Sequence, residues 1–140
     1  MQSHTEMHDE LTGLPNRRSV DDLMRSLHLD QKSDVVLVLI ELPSLSDATR
    51  RVLASRLRGC ARGDDVIARL DDDRYAMLLT PRISADGEDK LLARLHVATG
   101  AQVLGISVAF GIARCPEDGT SFDELLACAG ARLRDTAVAH

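Results

Sequence analysis

The chain has 140 residues, a length that fits a single domain, with a formal net charge of −5 and an aromatic content of 2%. The acidic balance argues against general binding to nucleic acid or to a membrane surface, and so few aromatic residues leave no platform for stacking bases. No apolar run approaches the ~20 residues of a membrane span, the polar N-terminus carries no signal peptide, and the three cysteines lack metal-ligand spacing and suit a reducing compartment.

The first half of the chain predicts a strand followed by a helix. Val35 to Leu42 is an apolar, β-branched run that stops at Pro43, which is typical of a buried strand. Ser46 can cap a helix that we expect to run from Ala48 to Arg62, because apolar residues recur in it at helical spacing. A strand joined to a helix in this way is a unit from which α/β sheets are built.

The second half of the chain predicts a hairpin and two more helices. Its expected elements are strands at 66–70 and 75–79, a helix at 86–97, an apolar strand at 102–113 interrupted by Gly105, and an amphipathic helix at 121–135. The first two strands flank a short polar turn, as in a β-hairpin. Together the elements predict an α/β (α+β) domain, with a central mixed sheet of about five strands that includes the hairpin and is covered by helices.

Three segments of the chain match motifs of one protein family, and the motifs follow one another along the chain in the same order as in the family. Residues 69–79 read RLDDDRYAMLL, residues 9–18 read DELTGLPNRR, and residues 109–119 read AFGIARCPEDG. These segments resemble the signature hairpin, the N-terminal motif and the last core strand with its turn in the GGDEF (diguanylate cyclase) family. The chain is therefore identified as one domain with this nucleotidyl-cyclase-like fold, residues 1–140, in which residues 1–8 are expected to be a linker stub. The resemblance implies a bacterial, cytoplasmic protein in second-messenger signalling.

The signature hairpin departs from the family pattern, which usually reads Arg-Leu-Gly-Gly-Asp/Glu-Glu-Phe-Ala-x-Leu-Leu. Asp71 and Asp72 replace the paired glycines, Arg74 replaces the glutamate, Tyr75 replaces the phenylalanine, and Asp73 matches the metal-binding acid. In the family the glycines let the backbone approach the phosphates of GTP, and glycine takes positive φ at little cost. Two aspartates there add negative charge against an anion, a repulsion of roughly 1–4 kcal/mol at ~4 Å. The domain is thus expected to be degenerate.

Other parts of the family's active site are altered too. Glu41 and Pro43 stand where the family's first strand carries two aspartates, and the segment that reads guanine is missing after Ser46. The family's Asp, Tyr and Lys positions in the last helix hold Gly130, Arg134 and Ala137. We therefore expect no cyclase activity, no catalytic residue and no cofactor. Glu41 and Asp73 are the candidate Mg²⁺ ligands of a residual enzyme, the alternative that the residues favour least.

A second motif predicts a retained ligand site. The family has an inhibitory site for its product, cyclic di-GMP, with the motif Arg-x-x-Asp directly before the strand that leads into the signature hairpin. Arg62 and Asp65 stand in that register. An arginine fork meets the O6 and N7 acceptors of guanine, and an aspartate accepts from its N1–H and amino group. The resemblance adds Arg94 to this pocket, and Arg58, one helical turn before Arg62, can help to neutralise phosphate.

The same residues also allow a purely structural interpretation. The Arg-x-x-Asp pattern recurs at 18–21, 69–72 and 132–135, so only its register with the hairpin carries weight. Arg62 and Asp65 can be a surface pair worth about 0–1 kcal/mol, with Gly63 as the αL residue of a helix end.

Several functions therefore stay open. The first is a cyclic di-GMP receptor, for which the family implies ligand-driven dimerisation. The second is a nucleotide-free scaffold that dimerises or docks an acidic partner. In that role its substituted arginines would be surface features: Arg74, Arg132 and Arg134. A regulatory domain that binds GTP without turnover ranks third, because the base-reading segment is missing.

Overall fold

The computed structural model describes residues 7–29, 34–63, 65–80 and 84–135. The helices are α1 (Arg17–Leu29), α2 (Asp47–Arg58), α3 (Ala85–Thr99), α4 (Ala101–Leu104) and α5 (Phe122–Ala131). The strands are β1 (Val35–Glu41), β2 (Val66–Arg69), β3 (Arg74–Leu79), β4 (Ala109–Cys115) and β5 (Arg134–Asp135). Within these ranges, no helix has both the length and the apolar character that crossing a membrane requires.

The two ends of the chain are only partly described. Residues 1–6 of the expected linker stub and the substituted Ala137 lie outside the described residues. His8, which was expected in the stub, forms an isolated bridge with Pro15. The described N-terminal turn therefore begins before residue 9.

The strands form one sheet of five strands in the order β2-β3-β1-β4-β5, which confirms the expected strand number and the hairpin. All four pairings between neighbours are antiparallel, so the expectation of a mixed sheet is wrong for these ladders. The reason lies in the helical connections. Helix α2 connects β1 to β2, which have β3 between them, and α3 with α4 connects β3 to β4, which have β1 between them. Two such strands run in the same direction without pairing. Within the described residues, parallel contact is confined to an isolated bridge between Asn16 and Arg69.

Strand β1 lies at the centre of the sheet and of the hydrophobic core. Its first six residues are all buried, because helices cover both faces of the sheet. Val36, Val38 and Ile40 pack in one cluster with α2 and α3. The alternate residues pack in a second cluster with α1 and α5. This two-sided burial explains why the strand is a continuous apolar run in the sequence.

Helix α2 is shorter than expected. Ser46 caps it as expected, because its Oγ accepts a hydrogen bond from the backbone N–H of Thr49 at 3.2 Å. The helix ends at Arg58 rather than at Arg62, with Gly59 as its C-cap. Arg62 therefore lies in the turn that leads into β2.

Two later elements also differ from the expectation. Residues 102–104, expected to begin a strand, belong instead to α4, because Gly100 and Gly105 take φ values of +67° and +68° and enclose one helical turn. The last helix ends at Ala131 instead of continuing to Asp135, and the residues after it form β5, which pairs with the start of β4.

Candidate functional site

The signature turn between β2 and β3 is closed by its first aspartate. Arg69 and Tyr75 pair at the base of the hairpin. The Asp71 carboxylate accepts hydrogen bonds from the backbone N–H groups of Asp73 at 3.2 Å and Arg74 at 3.1 Å. Aspartate commonly stabilises a turn in this way. The residue in the first of the family's glycine positions thus holds the turn through its side chain.

Each of the three aspartates in this turn has an arginine partner. The pairs are Asp71 Oδ2 with Arg74 Nε at 3.0 Å, Asp72 Oδ1 with Arg69 Nη2 at 3.4 Å, and Asp73 Oδ1 with Arg50 Nη2 at 3.1 Å. The arginines come from β3, β2 and α2 respectively. The negative charge of the turn is therefore compensated within the fold.

Arg69 connects the hairpin to the N-terminal motif. Its side chain is only 8% exposed, and its Nη1 donates to the two carboxylate oxygens of Asp9 at 3.0 and 3.1 Å. Thr12 donates to the same carboxylate from its backbone N–H and its hydroxyl. Burial raises the pKa of Asp9, but the hydrogen bonds from Thr12 and Arg69 outweigh it and hold that pKa below its ordinary value. The motif around Asp9 is thus tied to the base of the hairpin.

Arg50 is a site residue that the sequence reasoning missed. It bridges two carboxylates, donating from Nη1 to Asp47 Oδ1 at 3.2 Å and from Nη2 to Asp73 Oδ1 at 3.1 Å. The hydrogen bond to Asp73 is the main reason why the pKa of Arg50 lies above its usual value. Three consecutive aspartates signal that counter-charges are needed, but only the tertiary structure shows which arginine supplies the one for Asp73.

The candidate metal ligands do not form a cation site with the other described residues. Glu41 is exposed at the end of β1 and lies opposite Arg74 in the sheet register. Asp73 is engaged by Arg50. Among the residues that the structure describes, no group of three or more His, Cys, Asp or Glu side chains could hold a metal ion. Mg²⁺ needs a near-octahedral shell of oxygen ligands, which this arginine-paired donor set does not fit.

Arg62 and Asp65 form a compact turn before β2. The Asp65 Oδ2 accepts from the backbone N–H of Arg62 at 3.1 Å, and the backbone N–H of Asp65 donates to the carbonyl oxygen of Arg62 at 2.9 Å. Gly63 takes the positive φ expected of it, +57°, with open space around it, but it lies in this turn and not at a helix end, because α2 already ends at Arg58. This turn leaves the Arg62 side chain exposed to solvent.

The positive charges of Arg62 and Arg94 both act on the half-buried thiol of Cys60. Burial raises the pKa of that thiol, and the positive charges of Arg94 and Arg62 partly offset the effect. Both arginines are exposed, and neither side chain has a partner among the described residues. Arg58 is placed differently: a Cβ added to Gly13 would lie 3.7 Å from the Arg58 Nη2. The Arg58 guanidinium thus lies beside the N-terminal turn.

Comparison with known proteins points to one family. The family model described as diguanylate cyclase, GGDEF domain, matches residues 6–138. The uncharacterized protein Rv1354c of Mycobacterium tuberculosis is 32% identical over 124 residues, which cover 76% of this chain and 20% of that protein. The bifunctional diguanylate cyclase/cyclic di-GMP phosphodiesterase MucR of Pseudomonas aeruginosa is 30% identical over 146 residues, which cover 91% of this chain and 21% of that protein. The chain spans about a fifth of the length of these relatives.

A solved structure gives the same fold. The GGDEF domain of DgcB from Caulobacter crescentus, determined in complex with cyclic di-GMP, superposes with a TM-score of 0.72. The alignment covers 90% of this chain and 84% of that chain at 19% sequence identity. At this identity the similarity shows the fold alone.

Proposed function

The chain belongs to the GGDEF family of diguanylate cyclase domains, and from that premise we propose that it is a catalytically inactive member that binds cyclic di-GMP. The observation that carries the proposal is the turn before β2, in which the Asp65 carboxylate accepts a hydrogen bond from the backbone N–H of Arg62 while the Arg62 side chain stays exposed. The domain then acts as a regulatory module within a cyclic di-GMP signalling protein.

The proposed loss of activity follows from the signature turn. Diguanylate cyclisation requires GTP triphosphates to be held while divalent cations neutralise their charge. Asp71 and Asp72 stand in the glycine positions, and arginines pair with both of them. Only a short connection separates Glu41 at the end of β1 from Asp47 at the start of α2, which leaves no segment to read guanine.

The test of inactivity is turnover of GTP in the presence of Mg²⁺. The purified chain is expected to form no cyclic di-GMP above a control without protein, because neither the phosphates nor the guanine base has a binding element. Product above that control contradicts the proposal.

The proposed ligand site uses complementary hydrogen bonding. The forked guanidinium of Arg62 offers two parallel N–H donors to the O6 and N7 acceptors of guanine. Asp65 supplies acceptors for the N1–H and amino group, and Arg94 adds positive charge for the phosphates. Arg58, which was expected to help neutralise phosphate, has its guanidinium beside Gly13 in the N-terminal turn. DgcB, solved with cyclic di-GMP, gives the family precedent for a bound ligand.

The test of binding is calorimetric titration of cyclic di-GMP into the wild type and three variants. Losing a charge-assisted hydrogen bond is expected to weaken binding about 10–100-fold in Arg62→Ala and in Arg94→Ala. Arg51→Ala is the matched control, because Arg51 is an exposed arginine on α2 that lies outside the proposed pocket. Equal affinity in Arg62→Ala and the wild type contradicts the assignment of the pocket.

The wider setting is part of the same proposal. Binding of ligand between two copies of the domain makes a homodimer, as the family implies, and the signalling role places the domain in a bacterial cytoplasm. Sedimentation with and without cyclic di-GMP is expected to show a shift towards dimer. Neither nucleic acid nor a metal cofactor takes part.

A second candidate function is a protein-docking scaffold that needs no nucleotide. Val52 and Leu104 are 51% and 49% exposed, and both line a groove of about 250 Å³ between α2 and α4. Two of the arginines assigned to this role are already paired, Arg74 with Asp71 and Arg132 with Asp118. A dimer or partner complex that forms without cyclic di-GMP and is lost in Val52→Asp favours the scaffold.

A further inference from the structure

The side chain of Arg50 is held between two elements next to the signature turn. It starts on α2 and reaches Asp73 in the turn, while its second amino group stays on Asp47 in the first turn of its own helix. Only 14% of the Arg50 side chain is exposed, and its Nε is buried without a partner among the described residues. This guanidinium is therefore packed into the fold, unlike a loosely held surface arginine.

Arg50 supplies a positive charge to the acidic signature turn. The turn carries three consecutive aspartates, and the other two are paired with Arg74 and Arg69, which belong to the hairpin itself. Asp73 lacks such a hairpin partner and relies on Arg50 from a separate element. The Arg50 charge thus completes the compensation of the turn without an added ion.

A divalent ion would have to displace this guanidinium. Mg²⁺ and Mn²⁺ take oxygen ligands at close to 2.1 Å, so an ion on Asp73 would sit beside the positive charge of Arg50. The described residues supply no group of three acids, histidines or cysteines that could compensate for this repulsion. Glu41, the other candidate ligand, is the register partner of Arg74 on the neighbouring strand β3.

We propose that Arg50 is a built-in cation of the signature hairpin: its guanidinium occupies Asp73, excludes divalent metal ions and makes the order of the turn independent of them. The proposal stands apart from ligand binding at Arg62. Arg50 lies in the first turn of α2, about 12 Å along the helix axis from its last residue Arg58, and Arg62 belongs to the separate turn that leads into β2. Failure of either proposal therefore leaves the other intact.

The test is a titration of the full chain with Mn²⁺, followed by paramagnetic broadening of the amide NMR signals of residues 71–74. The wild type is expected to show no selective broadening of these signals at sub-millimolar Mn²⁺. Arg50→Gln is expected to bind Mn²⁺ at the turn at least about tenfold more tightly than the wild type, because Asp73 is released. Arg51→Gln, which removes an exposed arginine next in sequence, is expected to behave as the wild type.

Two further variants separate charge from shape. Arg50→Lys keeps the positive charge and is expected to keep the metal excluded. The double variant Arg50→Gln with Asp73→Asn is expected to lose the Mn²⁺ binding that Arg50→Gln gains. Selective broadening in the wild type overturns the proposal, as does a folded Arg50→Gln that gains no binding. If Arg50→Gln does not fold, the proposal is still tested by the titrations of the wild type and of Arg50→Lys, because selective broadening in either of them overturns it.

Discussion

At the scale of single residues, the buried hydroxyl of Tyr75 gives a direct prediction about stability. Tyr75 is fully buried, and its hydroxyl has no hydrogen-bond partner among the described residues. An unsatisfied buried hydroxyl is unfavourable by about 1–3 kcal/mol. Tyr75→Phe, which restores the aromatic residue of the family pattern, is therefore expected to raise the free energy of unfolding by about 1 kcal/mol. Urea denaturation measures this change, and a loss of stability would instead reveal a hydrogen-bond partner for the hydroxyl.

The residue scale also shows where sequence reasoning reaches its limit. The sequence singles out Asp73 by its place in the signature, and Arg62 and Asp65 by their register before the hairpin. The ion pairs of Asp73 and Asp9 are not predictable from the sequence: Arg50 is 23 residues from Asp73, and Arg69 is 60 residues from Asp9. Such pairs depend on how α2 and the N-terminal turn pack, which local patterns do not encode. The position of Arg58 beside Gly13 was missed for the same reason.

At the scale of elements, the contact between α5 and β4 depends on one glycine. A Cβ added to Gly111 in β4 would lie 2.0 Å from the carbonyl oxygen of Ala129 in α5. Gly111→Ala therefore forces the helix away from the sheet and is expected to lower the free energy of unfolding by about 3 kcal/mol or more. Chemical denaturation of the purified variant tests this.

Gly130 provides the control on the same helix. Its added Cβ would meet only the Leu39 side chain at 3.9 Å, and the residue lies within a helix. Gly130→Ala is expected to be neutral or to stabilise the protein by up to about 1 kcal/mol. Similar losses in both variants would contradict the close approach of helix and strand at Gly111.

Helices and strands with a clear pattern of apolar residues are predictable from the sequence. Elements whose bounds depend on the backbone angles of single residues or on strand pairing are not. β1 was recognisable as a buried apolar run, and the hairpin as two short strands around a polar turn. The sequence places residues 102–104 in a strand, but positive φ at Gly100 and Gly105 makes the segment between them a helical turn. The last helix ends at Ala131, although its sequence continues in an amphipathic pattern, because the following residues pair with β4.

At the scale of the whole molecule, the carboxylates tie stability to pH. Hydrogen bonds from Arg132 hold the pKa of Asp118 below its ordinary value, and backbone hydrogen bonds from Thr120 and Ser121 do the same for Glu124. The pKa of Asp9 is lowered as well. Since each folded pKa lies below the unfolded one, the unfolded state binds more protons. The resulting stability is present at neutral pH and is lost as the pH falls below about 5.

Denaturation midpoints measured between about pH 7 and about pH 3 test this dependence. The midpoint is expected to fall on acidification, and the slope is expected to be smaller in Asp118→Asn, which removes one of the coupled groups. A midpoint that stays constant down to about pH 3 would contradict the lowered pKa values.

We propose that this fold binds cyclic di-GMP at Arg62, while the three aspartates of its signature turn are held in internal ion pairs. The most direct measurement is a calorimetric titration of cyclic di-GMP into the wild-type chain, with Arg62→Ala alongside. The account predicts saturable binding to the wild type and a loss of about tenfold or more in the variant. A wild-type titration without saturable heat would contradict the receptor function.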